Sequence, residues 1–260
     1  MDRTLLKLHC SFRLGKQHAR TDKRTLLLTD YTPTLAAPPA AWSLPLIPDT
    51  TPTLYGNDTV GDCTKAAYAG MVRSLAAAAE KPFNYTDADV LKMYEECDGY
   101  NPKDPNTDNG SDGLTTLKYL RKTGALGHAP LAYLALDAKN PAEYKMASRY
   151  FGGVYVGIAL PLAWQGQKTW GTSLFGCRSG KWAPGSWGGH MIYGKARYTP
   201  DYLEILTWAE TYRLTWAAVK VYPDEAYAVI TPDFVSPDGF DDVRLEADLA
   251  AIHGSAATSS

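Results

Sequence analysis

The stretch Tyr55-Gly56-Asn57-Asp58-Thr59-Val60-Gly61-Asp62-Cys63-Thr64-Lys65-Ala66-Ala67 decides how this chain is read. From Cys63 to Glu80, small and apolar residues recur at three- and four-residue steps, at Ala66, Ala67, Gly70, Met71 and Leu75. That spacing predicts a helix with one apolar face. Asp62 has the chemistry of an N-cap, which puts Cys63 at the first helical position. A thiol there faces the positive end of the helix dipole and several backbone N–H groups that lack helical partners. Both favour the thiolate, the reactive form. The same N–H groups are placed to hold an oxyanion beside the sulfur. The bland alternative is a small buried hydrophobe.

Upstream, residues 11–53 are rich in Pro and Thr. Pro33, Pro38, Pro39, Pro45, Pro48 and Pro52 exclude a long helix or a central strand there. Residues 1–53 read as an extended arm packed on the body, with Leu26-Leu27-Leu28 as a short strand. Downstream, the T-x-x-D pattern from Thr86 to Asp89 opens a second helix running to about Cys97. A third spans Leu114–Thr123 and is closed by Gly124. A fourth spans Pro141–Tyr150, capped by Asn140.

After Gly153 the texture changes. Val154–Leu160, His190–Tyr198, Tyr202–Trp208, Thr211–Trp216 and Ala226–Ile230 read as strands. Helices first and strands later is the segregated α+β pattern. The body spans 54–252, and 253–260 reads as a flexible tail.

The totals narrow the function classes. Twenty-six basic and 28 acidic residues among 260 give a net charge of −2, with no nucleic-acid footprint. No run approaches the roughly 18 apolar residues of a membrane span. Met1 to Leu8 lack the apolar core of a secretory signal, so a cytoplasmic or virion-associated location is expected. Cys10, Cys63, Cys97 and Cys177 form no C-x-x-C pair and read as free thiols. No metal or cofactor is expected. The acidic loop Asp104–Gly110 fails the EF-hand pattern, having Asn109 at position six, and reads as a solvated turn.

A thiol nucleophile needs a base. The histidines are His9, His18, His128, His190 and His253. His190 follows Gly188-Gly189, whose small size leaves backbone room for a substrate, and opens the apolar run Met191-Ile192-Tyr193. Taken alone, it reads as a surface or half-buried histidine at a strand start.

The segment 55–67 resembles the active-site segment of papain-family peptidases. In that family a glutamine stands six residues before the catalytic cysteine, which is followed by a helix of small residues. Asn57 stands six before Cys63, and Gly61-Asp62-Cys63 stands in for Gly-Ser-Cys. Gly110-Ser111-Asp112-Gly113 resembles the glycine loop beside the family's substrate pocket. Tyr144 to Ile158 resembles the helix and strand leading into its β lobe. Gly188-Gly189-His190 resembles its histidine motif, and Leu206-Thr207-Trp208-Ala209 falls where it has Asn-Ser-Trp-Gly. The arm, with Asn57-Asp58 and Gly61-Asp62-Cys63, is also similar to a papain-like subgroup of bacterial and phage genomes.

The resemblance implies a two-lobed α+β papain-like fold, with a helical N-terminal lobe and an antiparallel β C-terminal lobe. It implies a cysteine peptidase or amidase with Cys63 as nucleophile, His190 as base and Asn57 at the oxyanion. Gly61, Asp62, Gly110, Gly113, Trp187, Gly188, Gly189 and Trp208 would line the substrate cleft, Trp208 as a lid. The substrate would be a peptide or peptidoglycan. A non-catalytic virion or homo-oligomeric component on the same scaffold is the rival. Two departures stand out. Leu206 occupies the place of the family's orienting asparagine, leaving Thr207 by a one-residue slip, or Glu210, Glu204 or Asp201. Asp62, if ionised, opposes a neighbouring thiolate. The arm is short for an inhibitory propeptide and lacks long helical periodicity, so none is obvious, and the sequence leaves open whether residues 11–53 cover the cleft.

Overall fold

A computed structural model describes residues 12–44, 53–176, 178–232 and 241–257. Met1–Leu8, Cys10, Cys177, Pro45, Pro48 and Pro52 lie outside the described residues. In chain order the elements are β1 (Trp42–Ser43), α1 (Cys63–Ala78), α2 (Asp87–Asp98), α3 (Gly113–Thr123), β2 (Ala132–Ala135), α4 (Pro141–Tyr150), β3 (Gly153–Leu160), β4 (Thr169–Trp170), β5 (Gly188–Tyr198), β6 (Tyr202–Thr207), β7 (Glu210–Thr215), α5 (Trp216–Val219), β8 (Pro223–Ile230) and α6 (Asp242–Ala257).

Local chemistry accounts for the four long helices of the first half and their ends. Thr86 and Asp89 form a reciprocal capping box at the start of α2. Asp112 accepts from the Thr115 N–H at the start of α3, and Gly124 closes that helix in the left-handed region. Asn140 caps α4 with Pro141 at its first position. Asp62 precedes α1 as expected but makes no side-chain cap bond. Leu26–Leu28 do not form a strand. Leu27 makes a single bridge to Ala135, and the chain then turns through a 3₁₀ helix at Leu28–Asp30.

One sheet runs in the order β2-β8-β3-β5-β6-β7-β4, with β1 on β5. It is antiparallel except for β4 beside β7. The period of two along each strand divides the interior. On β3, Val154, Val156, Ile158 and Leu160 face one core, whereas Tyr155 faces the helices. On β5, Ile192 faces the first core, and Met191 and Tyr193 face the second. Helices α1 and α3 pack on that second face. This is the two-lobed α+β arrangement the sequence implies, and it sets the N-terminus of α1 against the start of β5.

Candidate active site

Cys63 is the first residue of α1 and is buried. The backbone of Met191, the residue after His190, lies close enough to favour its thiolate. Strand β5 therefore delivers its opening residues to the helix N-terminus. Asn57 is also buried and lines the same small cavity as Cys63, Thr207 and Trp208. Its Nδ2 donates to Val60 O at 3.3 Å.

His190 is fully buried. Its Nε2 lies 2.6 Å from Thr207 Oγ1, and its Nδ1 has no hydrogen-bond partner among the described residues. With Nε2 carrying the proton, Nδ1 is the free base. Strand alternation explains why the partner is Thr207. Leu206 points at α1, where a Cβ on Gly70 would come within 3.0 Å of Leu206 Cδ2. Thr207 points the other way. The alternatives Glu204 and Glu210 are engaged elsewhere: Glu204 with Lys195 and Arg197, Glu210 with Lys168.

The indole of Trp208 stacks on the imidazole, with centroids 4.3 Å apart and planes 19° apart. Trp208 and Ala209 form the two-residue turn between β6 and β7, at φ 47° and 58°. Such turns normally use Asn-Gly. Placing non-glycine residues there stores strain of the kind found at functional sites, and here it holds the indole over the ring. Trp187 completes the aromatic wall, 5.6 Å from Trp208.

No family profile and no curated protein sequence matches this chain. Solved structures do. The chain is similar to xylellain, a cysteine protease from Xylella fastidiosa, with a TM-score of 0.66 at 14% identity, over 85% of this chain and 97% of that one. The fold is papain-like. A structure from the mite allergens Blo t 1 and Der p 1 is similar at TM-score 0.50 and 13% identity, over 88% of this chain and 83% of that one. At such identities the shared property is the fold, and the site must be argued from this chain's own residues.

In this papain-like fold the cleft is occupied by the chain's own arm. Gly15 N–H and O both find partners there: the Gly15 backbone favours the Cys63 thiolate, and Gly15 O accepts from Ser111 N at 2.8 Å. Lys16 N donates to Gly189 O at 3.2 Å, and Gln17 N to Ser111 O at 2.9 Å. Phe12 stacks on Trp208, with centroids 4.7 Å apart. Leu14 lies against Gly188, where a Cβ would meet Leu14 Cδ1 at 2.8 Å. Whether the arm covers the cleft was left open by the sequence, and it does. The arm blocks by backbone pairing in an extended form, which needs no helix and so left no helical period to read.

The glycines are what admit the arm. A Cβ on Gly15 would sit 1.8 Å from Gly61 O, and one on Gly110 would sit 1.8 Å from Gly15 O. The loop 104–110 is more than a solvated turn. Asp108 Oδ1 accepts from Gly61 N at 2.9 Å and from Tyr94 O–H at 2.8 Å. Tyr94 in turn accepts from Gly110 N at 2.7 Å. One carboxylate and one phenol thus tie together both glycine walls of the cleft. Isolated acidic and aromatic residues in the sequence gave no sign of that pairing.

The sealed site is electrostatically quiet. Burial pushes the Cys63 thiol up to about 11, against smaller opposing pulls from the Met191 and Gly15 backbone. Burial alone lowers the His190 imidazole to about 3. Asp62 is fully buried beneath the cleft, and neither carboxyl oxygen has a hydrogen-bond partner among the described residues. Burial raises its pKa well above the usual carboxylate value, only moderated by nearby Asn57 and Lys65. Asp62 still stands among the smaller influences that raise the Cys63 thiol, so the conflict expected from the sequence is softened by burial and not removed.

Proposed function

We propose that this chain is a cysteine hydrolase of peptide or amide bonds, held closed by residues 12–17 of its own arm. The observation that carries this reading is the divided imidazole of His190. One nitrogen is fixed on Thr207. The other is free and belongs to a residue adjoining Met191, whose backbone reaches Cys63. An imidazole fixed in this way offers an unpaired nitrogen to a thiol that comes within reach, with the third group setting the tautomer.

Once the arm leaves, water enters, and the desolvation that keeps both groups neutral is relieved. The Cys63 proton moves to His190 Nδ1. Sγ attacks the substrate carbonyl carbon, and the negative charge passes to the carbonyl oxygen. The Cys63 N–H at the start of α1 and the Asn57 amide, rotated from Val60 O, are the donors for that oxyanion. The imidazolium gives its proton to the leaving nitrogen as the C–N bond breaks. Nδ1 then takes a proton from water, whose oxygen attacks the acyl carbon. Loss of Sγ, which recovers its proton, releases the carboxylic acid.

The burial of Cys63 favours a second reading, an inert scaffold in which the arm never leaves. The test is hydrolysis of denatured protein and peptide amides by the full chain carrying Gly15→Ala, which expels the arm. Activity that disappears with an added Cys63→Ala supports the hydrolase. Activity that survives Cys63→Ala, or none at any substrate, leaves the scaffold.

A further inference from the structure

We infer that the pocket holding Lys16 is the specificity pocket of the cleft, and that it selects a peptide with a lysine or arginine beside the residue facing Cys63. This rests on the hydrolase reading and adds the substrate class.

Lys16 is the arm residue next to Gly15, and its side chain is only 1% exposed. The ammonium lies 3.2 Å from Glu225 Oε1 and 2.9 Å from Asp224 Oδ2, and it donates to Gln17 O at 2.8 Å. Glu225 is held in place for this. It accepts from Gly113 N at 3.1 Å and from Tyr227 O–H at 3.1 Å, and its side chain is 3% exposed. A buried carboxylate so fixed recognises a cation far better than a neutral group, because an apolar occupant leaves the charge unpaired.

The pocket is shaped for a long, unbranched stem. A Cβ on Gly157 would lie 2.1 Å from Lys16 Cε and 2.5 Å from Glu225 Cγ. Glycine there is what lets a four-carbon chain reach the acid. Asp224 stands at the rim, its side chain 35% exposed, where it meets an incoming cation first. Lys16 enters this pocket from a backbone paired with Ser111 and Gly189, the same cleft backbone a substrate peptide would use. The arm therefore occupies the site as a substrate look-alike.

The test uses full-length chain with Lys16→Glu, in which the arm is repelled by Glu225, and in parallel Gly15→Ala. Iodoacetamide labelling of Cys63, read by peptide mass spectrometry, first reports whether the cleft is open. Three peptidyl chloromethyl ketones then compete, alike except for lysine, norleucine or glutamate next to a reacting glycine. We expect lysine to label Cys63 at least about tenfold faster than norleucine, and glutamate slowest. Glu225→Gln should abolish most of that ratio. Asp224→Asn serves as a milder second variant and should reduce it. Equal lysine and norleucine rates, a ratio unchanged in Glu225→Gln, or labelling by iodoacetamide but by no peptide each overturn the pocket. So does a Cys63 closed to iodoacetamide in both arm variants. Amide hydrolysis with no basic preference overturns the pocket and leaves the hydrolase standing. A lysine preference without turnover of any amide upholds the pocket and overturns the hydrolase.

Discussion

Thr207 Oγ1 lies 2.6 Å from His190 Nε2, while Leu206, one residue earlier, packs on Gly70 of α1. The hydroxyl is the only side-chain hydrogen-bond partner of the imidazole among the described residues, so its removal has a defined effect. Thr207→Val keeps the shape and loses the acceptor. In an arm-released background, kcat/KM should fall by about ten- to a hundredfold, from the loss of one hydrogen bond to a developing charge worth about 1.5–3 kcal/mol. Thr207→Ser should restore most of it. Equal activity of the valine variant would refute the orienting role.

Gly15→Ala should open the cleft. Its Cβ has no room beside Gly61 O, so the arm rather than the body must yield. Iodoacetamide labelling of Cys63 relative to Cys97, the other described cysteine, should rise several-fold with the thermal midpoint nearly unchanged. A large drop in that midpoint without faster labelling would show that the arm is structural.

The pH profile of the same labelling separates closed from open states. In the closed chain the thiol is held at about 11 by burial, so labelling should be slow at pH 7 and climb only above about pH 9. With Gly15→Ala the climb should move to lower pH, since water and the imidazole then stabilise the thiolate. Identical profiles in the two proteins would contradict a cleft controlled by the arm.

His190 ties stability to acid. Its folded value is about 3, against roughly 6.5 when unfolded. Between those values the unfolded chain binds a proton the folded one does not, so stability is lost as pH falls from 6.5 toward 3. The slope from this group is at most about 1.4 kcal/mol per pH unit. Asp62, with its raised value, has the opposite sign, losing its contribution as pH rises, and does so with or without His190. Urea midpoints at pH 7, 5 and 4 should therefore converge for wild type and His190→Gln as the pH drops. Parallel curves would mean the imidazole is not buried neutral.

The sequence was most legible where local rules act. The caps at Thr86 and Asn140 and the stop at Gly124 are each set by a few neighbouring atoms, and the helices they bound lie where periodicity placed them. Helix α1 begins at Cys63 as its small-residue face requires. Strand β2 and the two-residue strands β1 and β4 were not legible, since Ala132–Ala135 has no pattern of its own and pairs only because β8 is present. Of the candidate site, Cys63 could be singled out by its place at a helix start, whereas His190 and Thr207 came from the family resemblance, Thr207 by counting from Trp208. The Asp108–Tyr94 tie, the burial of Asp62 and the Lys16–Glu225 pair were hidden. Each depends on tertiary placement, across 14 positions for Tyr94 and Asp108 and 208 for the Lys16–Asp224 contact, and no spacing rule reads it.

Because the segment across the cleft belongs to the same polypeptide, its return is a unimolecular event. Dilution does not release it, and a second molecule cannot supply it any faster. A tether of this kind presents its end at an effective concentration of about millimolar. Any external peptide must exceed that local competitor to be held for half the time. Weak, occasional ligands are thereby screened out. Only a sequence that fits the cleft better than the chain's own arm, or a cut or pull on the arm itself, changes the occupancy.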